Sequence, residues 1–155
     1  MTTITERIDA ITAVSDPRAV MPTPKSVKIE LCGRCNYRCG FCALQTRVCQ
    51  PTKSDDMSIE FFRRVAGEMR VAGVEELGLF YIGESFMNFP LLLAAVVEAK
   101  RLGFPYVFLT TNGSLASPER VEALMAAGLD SLKFSINAAD HEQFEKVMAV
   151  RPANY

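Results

Sequence analysis

The sequence lacks any strong imbalance of charge, any long apolar run, and the uninterrupted apolar stretch of a secretion signal. A formal net charge of −1 gives no electrostatic footprint for nucleic acid or an anionic membrane. A membrane span needs about 20 consecutive apolar residues, and no run approaches that length. Glu6, Arg7 and Asp9 interrupt the first ten residues, where a signal peptide would be apolar. We therefore expect a cytoplasmic protein.

The cysteines lack the wide spacing of a disulfide framework. They number five, and four of them lie within Cys32–Cys42, where close neighbours make poor disulfide partners. In a reducing compartment this crowding favours metal or cluster binding over simple burial. Cys35, Cys39 and Cys42 are spaced C-x₃-C-x₂-C. Three thiolates on one loop can hold three irons of a cubane iron–sulfur cluster and leave the fourth iron open for chemistry.

Strand and helix patterns alternate from residue 27 onward. Apolar alternation and short apolar runs predict strands at 27–31, 77–82, 106–110 and 132–136. Helical patterns start at or just after Ser58, Pro90, Ser117 and Asp140, and glycines at 73, 103 and 128 end the first three. The strand at 77–82 is apolar throughout, so we expect it to be buried on both faces. Met69 and Met125 lie at helical spacing and are predicted to be core residues.

The alternation predicts an α/β fold with a parallel sheet and right-handed crossovers. About four βα units make a partial TIM-barrel-like core, and 155 residues suffice for one domain. Residues 1–26 are predicted to form an accessory helix, with Ile4, Ile8 and Ile11 on one face, followed by a proline-containing linker; residues 27–155 form the core. Four units do not close a barrel of six or eight, so we expect an open sheet or, in preference, part of a longer enzyme.

Polar groups are predicted to meet where the four strands end. The first strand leads into the cysteine loop and the second into Gly83-Glu84. The third ends in Thr111-Asn112-Gly113, and the fourth ends near Ser135 and Asn137. Functional groups gather at the carboxyl ends of parallel strands. Small, polar and acidic residues beside a cysteine cluster indicate a site for a polar cofactor.

The cysteine motif resembles that of the radical S-adenosylmethionine (radical SAM) superfamily. The match is C-x₃-C-x-aromatic-C, here Cys35, Cys39, Phe41 and Cys42, directly after the first strand. The resemblance implies that the three cysteines bind a 4Fe-4S cluster, that SAM chelates the fourth iron, and that Phe41 lies near the adenine. The family's Gly-Gly-Glu motif, which helps to bind the methionyl amino group, is similar to Ile82-Gly83-Glu84, in which the first glycine is replaced.

The resemblance extends over about residues 27–140 and also implies a reaction. Thr111 and Asn112 look like part of the motif that closes the third strand, and Ser135 matches a residue that approaches SAM. The implied enzyme takes an electron from a flavodoxin or ferredoxin-type donor and cleaves SAM reductively to a 5′-deoxyadenosyl radical, which abstracts hydrogen from a substrate. The substrate is unidentified, with peptide maturation the first expectation and a small metabolite the second.

Other interpretations remain open for several of these residues. The chain could be a non-catalytic iron–sulfur electron carrier, although such a carrier normally uses four cysteine ligands. Cys32 extends the run to C-x₂-C-x₃-C-x₂-C, but a zinc-binding interaction module usually separates its two cysteine pairs more widely. We interpret Cys32 as a packed residue at the end of the first strand, Cys49 as incidental, and His141 as solvated. Asn112-Gly113 is also a common turn sequence, and Ser135 could do no more than form hydrogen bonds with neighbouring backbone groups.

Overall fold

A four-stranded parallel sheet with helical crossovers forms the centre of the molecule. The computed structural model describes Glu6 and residues 22–149. The predicted helix bearing Ile4, Ile8 and Ile11 lies outside the described residues, so the division at residue 26 stays a prediction. The strands are β1 (Ser26–Lys28), β2 (Glu76–Gly78), β3 (Tyr106–Thr111) and β4 (Ser131–Phe134). The helices are α1 (Ile59–Ala72), α2 (Phe89–Arg101), α3 (Pro118–Ala126) and α4 (His141–Met148).

The strands lie in the order β1-β2-β3-β4, and every neighbouring pair is parallel. Val27 pairs with Leu77, and Leu77 with Val107, so the first three strands are in continuous register. Each strand is joined to the next through a helix, as the alternating pattern predicts. The predicted fold class is confirmed, and all four carboxyl ends lie along one edge of the sheet.

The helices begin and end at residues that explain their bounds. Ser58 caps α1 by accepting a hydrogen bond from the backbone N–H of Phe61, and Gly73 ends it at φ 101°, a left-handed conformation that favours glycine. Asp140 caps α4 by accepting from the backbone N–H of Gln143. Ser117 occupies the N-cap position of α3, but its side chain makes no capping hydrogen bond.

The first two strands are shorter than predicted. β1 ends at Lys28 and β2 at Gly78, although ladder-like bonds continue from Ile29 N–H to the Gly78 carbonyl at 2.8 Å. After β2, Leu79 N–H still donates to the Phe108 carbonyl of β3 at 3.0 Å. After β1, the segment leaves the sheet, and the Leu31 carbonyl accepts from Met57 N–H at 2.9 Å. Burial on both faces also fails beyond the strand, because the Tyr81 side chain is 66% exposed.

The core lies between the sheet and α1, α2 and α3. Its largest fully buried side chains include Phe62, Phe86 and Phe104. Met69 packs against this core as predicted, whereas Met125 is 65% exposed, so its assignment to the core was wrong. The helical spacing places Met125 on α3 but does not decide which face α3 turns to the sheet. None of the helices in the described part of the chain has the length and apolar character needed to cross a bilayer.

Candidate cluster and cofactor site

A cavity of about 300 Å³ opens at the carboxyl edge of the sheet. It is bounded by the cysteine loop on one side and by the segments that follow β2, β3 and β4 on the others. All nine residues predicted to bind a metal or cofactor line it: Cys35, Cys39, Phe41, Cys42, Gly83, Glu84, Thr111, Asn112 and Ser135. Asn137 lines it too. The tertiary structure therefore brings together residues that lie far apart in the sequence.

The cysteine loop is held by short-range bonds and by α4. The Cys42 N–H donates to the Cys39 carbonyl at 3.0 Å, and Arg38 donates to the Cys35 carbonyl at 3.0 Å. From α4, the Val147 carbonyl accepts from Gly40 N–H at 3.1 Å. These bonds turn the loop so that its three spaced cysteines line one cavity.

The first two of these thiols lie in a partly buried environment. Burial, followed by repulsion from Glu84, raises the pKa of Cys35, although hydrogen bonds from Tyr37 N–H and Asn112 oppose the rise. Burial and the neighbouring Cys35 raise the pKa of Cys39. A bound cationic metal reverses this effect, because a coordinating thiol is deprotonated outright.

The donor set fits an iron–sulfur cluster. Three thiolates are soft ligands of the kind that select iron–sulfur clusters or zinc. In a cubane each cysteine binds a different iron, so the cysteines surround a cavity instead of meeting at one point. Among the described residues, no three His, Cys, Asp or Glu side chains are grouped as they would be around a single metal ion.

Glu84 presents a firmly held carboxylate to the cavity. Its side chain is only 3% exposed. Oε1 accepts from Phe86 N–H at 3.1 Å and from the Thr111 hydroxyl at 2.8 Å, and Oε2 accepts from Asn112 N–H at 2.8 Å. These donors fix the carboxylate and satisfy much of its hydrogen-bonding capacity, as burial of a charge requires. The arrangement suits an added cationic partner such as an amino group.

Gly83 sits where the chain passes very close to the cysteine loop. A Cβ atom at this position would lie 2.0 Å from the Cys32 carbonyl oxygen and 2.7 Å from the Gly33 carbonyl carbon. No side chain fits against backbone atoms at such distances. Glycine is therefore required here by the close approach of the backbone.

Thr111 and Asn112 mainly organise the wall of the cavity. The Thr111 side chain is buried, donates to Glu84 and accepts from Gly113 N–H at 3.1 Å. The Asn112 amide donates to Cys35 Sγ at 3.8 Å and to the Asn36 side chain at 3.0 Å, while its oxygen accepts from Ser114. Both side chains thus make protein contacts first, and a contact with cofactor would come in addition.

Ser135 and Phe41 both line the cavity, but Ser135 continues the strand pairing whereas Phe41 is largely exposed. The Ser135 N–H donates to the Thr111 carbonyl at 2.8 Å, which continues the β3–β4 pairing, and Ser135 lines the cavity. Phe41 is 63% exposed at the cavity rim. An aromatic ring in this position offers an apolar face to a flat heterocycle.

Reasoning from the sequence missed several residues that line or support the cavity. Tyr37 and Met148 line the cavity and pack with Phe144, so that α4 covers the cysteine loop from outside. The position of Tyr37 inside the cysteine run could have identified it as a site residue, whereas nothing in the sequence indicated Met148. Glu30, an acidic residue within the predicted strand 27–31, could also have been noticed, and it accepts hydrogen bonds from the segment before Glu84.

The remaining cysteines and the histidine lie away from the cavity. Cys32 is 1% exposed, and burial raises the pKa of its thiol to about 11; it is packed as expected but lies beyond the end of β1. Cys49 is exposed and lines a separate polar depression beside Arg47. His141 is exposed at the start of α4.

Comparison with known proteins identifies relatives of the sequence and of the fold. The model of the radical SAM superfamily matches residues 29–155. GTP 3′,8-cyclase of Synechococcus sp. is 35% identical over 117 residues, which are 74% of this chain and 32% of that enzyme. PqqA peptide cyclase of Methylorubrum populi is 27% identical over 146 residues, 94% of this chain and 37% of that enzyme.

A solved structure shares the fold. The crystal structure of BtrN in complex with AdoMet and 2-DOIA gives a TM-score of 0.64 at 16% identity and covers 84% of this chain and 53% of that one. At this identity the likeness concerns the fold alone. The chain spans about a third of the length of these two curated relatives, 32% and 37%.

Proposed function

Because this chain belongs to the radical SAM superfamily, we propose that it binds a 4Fe-4S cluster and SAM and cleaves SAM reductively to start hydrogen abstraction from a substrate. Members of this family are enzymes that use both groups. The observation that carries the proposal is the single cavity that joins the three loop cysteines to the Glu84 carboxylate and to the ends of β3 and β4.

Each wall of the cavity has a proposed task. Cys35, Cys39 and Cys42 would hold three irons of the cluster, with Asn112 and Tyr37 N–H donating to the sulfur of Cys35. When bound, the cluster and SAM would supply the reductive cleavage of the SAM sulfonium to methionine and a 5′-deoxyadenosyl radical, with the electron coming from the external donor. The protein's own contribution is to bind, orient and shield.

The SAM contacts are proposed from position and charge. Glu84 would accept a hydrogen bond from the methionyl amino group, because its carboxylate is fixed and faces the cavity. Phe41 would contact the adenine, and Ser135 would approach the ribose or the methionine moiety. Gly83, Thr111 and Asn112 would form the intervening wall, with Thr111 holding Glu84 in place.

The reductant and the substrate are proposed only as classes. A flavodoxin or ferredoxin-type donor would supply the electron. One relative is named for a peptide and another for GTP, which supports the two classes already expected, a peptide first and a small metabolite second. Deuterated compounds of each class would identify the substrate, because abstraction from the true substrate would transfer deuterium into 5′-deoxyadenosine.

Anaerobic reconstitution with iron and sulfide tests the proposal. The chain is expected to become brown, to give the EPR signal of a reduced 4Fe-4S cluster, and to produce 5′-deoxyadenosine from SAM under dithionite. Cys39→Ala should abolish both the cluster and SAM cleavage, because the two remaining thiolates cannot complete a three-cysteine site. Circular dichroism should show that the sheet persists.

Two matched variants control for the loss of any cysteine. Cys49→Ala removes an exposed thiol, and Cys32→Ala removes a buried one outside the cavity. Both should retain the cluster. If Cys39→Ala still cleaved SAM, the assignment of the cysteine ligands would be wrong. A stable cluster whose EPR signal does not change when SAM is added would indicate an electron carrier. A colourless chain that contains zinc would indicate a zinc module.

A further inference from the structure

Glu30 supports the cavity wall from behind. It follows β1 by two residues, between Ile29 and Leu31, which are both buried in the core. Because side chains alternate along extended chain, Glu30 points away from that core. Its Oε1 accepts hydrogen bonds from Ile82 N–H at 2.9 Å and Gly83 N–H at 2.7 Å.

These two bonds fix the direction of the backbone at the start of the Ile82-Gly83-Glu84 segment. In a trans peptide the carbonyl points opposite to the N–H of the same unit. With both N–H groups directed at Glu30, the carbonyls of Tyr81 and Ile82 are directed away from it. Ile82 and Gly83 themselves line the cavity at the carboxyl edge of the sheet.

The cysteine loop contacts the other side of the Ile82-Gly83-Glu84 segment. The Glu84 N–H donates to the Arg34 carbonyl at 2.7 Å, and Gly83 abuts the backbone of Cys32. Glu30 and the cysteine loop therefore hold the segment between them. Without Glu30, two adjacent N–H groups would lose their acceptor. The backbone before Glu84 would then be held by the cysteine loop alone, although Thr111 and Asn112 would still bind the Glu84 carboxylate.

We infer that Glu30 is a positioning residue for SAM binding: its carboxylate holds the Ile82–Gly83 backbone so that Glu84 faces the cavity. This inference rests on the proposed function. Glu30 does not line the cavity at the carboxyl edge of the sheet and so acts through the backbone it binds. Arg47 pairs with the other carboxylate oxygen, Oε2, at 3.5 Å and contributes charge balance but no bond to the segment.

The test compares Glu30→Ala with Glu30→Gln in the reconstituted chain. Glu30→Ala should weaken SAM binding by about 10- to 100-fold, by analogy with the loss of residues that orient metal ligands from the outer shell. Glu30→Gln should restore most of the affinity, because the amide oxygen can still accept both N–H bonds. Arg47→Gln should leave the dissociation constant unchanged.

Asp130 provides a matched structural control. Its Oδ2 also accepts from a backbone N–H, that of Val107 at 2.7 Å, and from a cation, Lys100 at 2.8 Å. Val107 lies near the amino end of β3, away from the cavity. Asp130→Ala should lower stability without changing SAM affinity, which separates local positioning from a general loss of stability.

A second measurement does not depend on SAM. Hydrogen exchange at the amides of Ile82 and Gly83 should be faster in Glu30→Ala and near the parent rate in Glu30→Gln. If Glu30→Ala fails to fold, Glu30→Asp replaces it, because the shorter side chain keeps the charge but cannot reach both amides. The same loss of affinity and protection is then expected.

The outcomes distinguish this inference from the proposed function. If the parent chain fails to bind SAM, both the proposed function and the inference about Glu30 are wrong. If the parent binds SAM and Glu30→Ala binds it equally well, only the role of Glu30 is overturned. Unchanged amide exchange in Glu30→Ala, or an equal loss of affinity in Asp130→Ala, would overturn that role as well.

Discussion

Gly83 shows how a single residue can be fixed by the space around its Cα atom. The Cys32 carbonyl and the Gly33 backbone leave no room for a Cβ. Contact with backbone is harder to relieve than contact with a flexible side chain, because the chain itself must move. At this position any movement would carry Glu84 with it.

Gly83→Ala should therefore reduce both stability and SAM affinity. Overpacking of this kind costs about 1–3 kcal/mol, measured as the free energy of unfolding in urea, and displacement of Glu84 should raise the dissociation constant for SAM. Gly40→Ala is the matched control, since a Cβ there meets nothing within 4 Å although Gly40 lies in the cysteine loop. Equal effects of the two substitutions would contradict the argument.

At the scale of elements, the helices that carry the crossovers are bounded by particular caps. α1 begins at a serine that accepts a backbone bond, whereas the serine at the start of α3 does not. The two serines occupy the same N-cap position, but only Ser58 makes the capping hydrogen bond. They provide a comparison within one protein.

Ser58→Ala should destabilise the protein by about 1 kcal/mol, the usual cost of removing a bonded N-cap side chain. Ser117→Ala should cost clearly less, because the helix loses no capping bond. Urea unfolding followed by circular dichroism gives both values. A larger loss for Ser117→Ala than for Ser58→Ala would show that the hydrogen bond from Phe61 N–H does not stabilise α1.

At the scale of the whole molecule, Asp56 connects three distant segments. Its carboxylate accepts two hydrogen bonds from Arg34 in the cysteine loop, at 3.2 Å and 2.6 Å, and one from Asn88 before α2 at 2.8 Å. Burial by itself raises the pKa of Asp56, but the hydrogen bonds from Arg34 and Asn88 outweigh it and hold the pKa below its usual range.

This linkage predicts a dependence of stability on pH. The lowered pKa means that the stabilisation from Asp56 is fully present above the unfolded pKa of about 3.9, and is lost as pH falls through the lower pKa of the folded state. Asp56→Asn should cost about 1.5–3 kcal/mol at neutral pH, as expected for hydrogen bonds between charged groups.

Urea unfolding of the parent and of Asp56→Asn across a pH series checks this prediction. The difference in stability should be constant from pH 7 to about 4 and should narrow below that. A difference that stayed constant into strong acid would mean that the charge of Asp56 contributes nothing.

Much of the fold could be predicted because its signals are local. The N-cap at Ser58, the glycines that end the helices and the alternation of strands and helices each depend on residues a few positions apart. Prediction of the strand ends was wrong because Ile82 N–H and Gly83 N–H donate to the Glu30 side chain and not to a neighbouring strand, and no local pattern indicates that contact. Prediction was wrong at Met125 because a helical period does not fix which face is covered.

The sequence by itself determined the order of the elements, the parallel sheet and the three-cysteine motif, since these follow from patterns along short stretches of chain. Its match to the family model over residues 29–155 shows membership of the superfamily. Only the tertiary structure decided how the site is held. The bonds from Glu30 to Ile82 and Gly83 join residues 52 and 53 positions apart, and α4 covers the cysteine loop through Tyr37 and Phe144. Such contacts arise from how the chain packs, because they join surfaces that no local pattern places side by side.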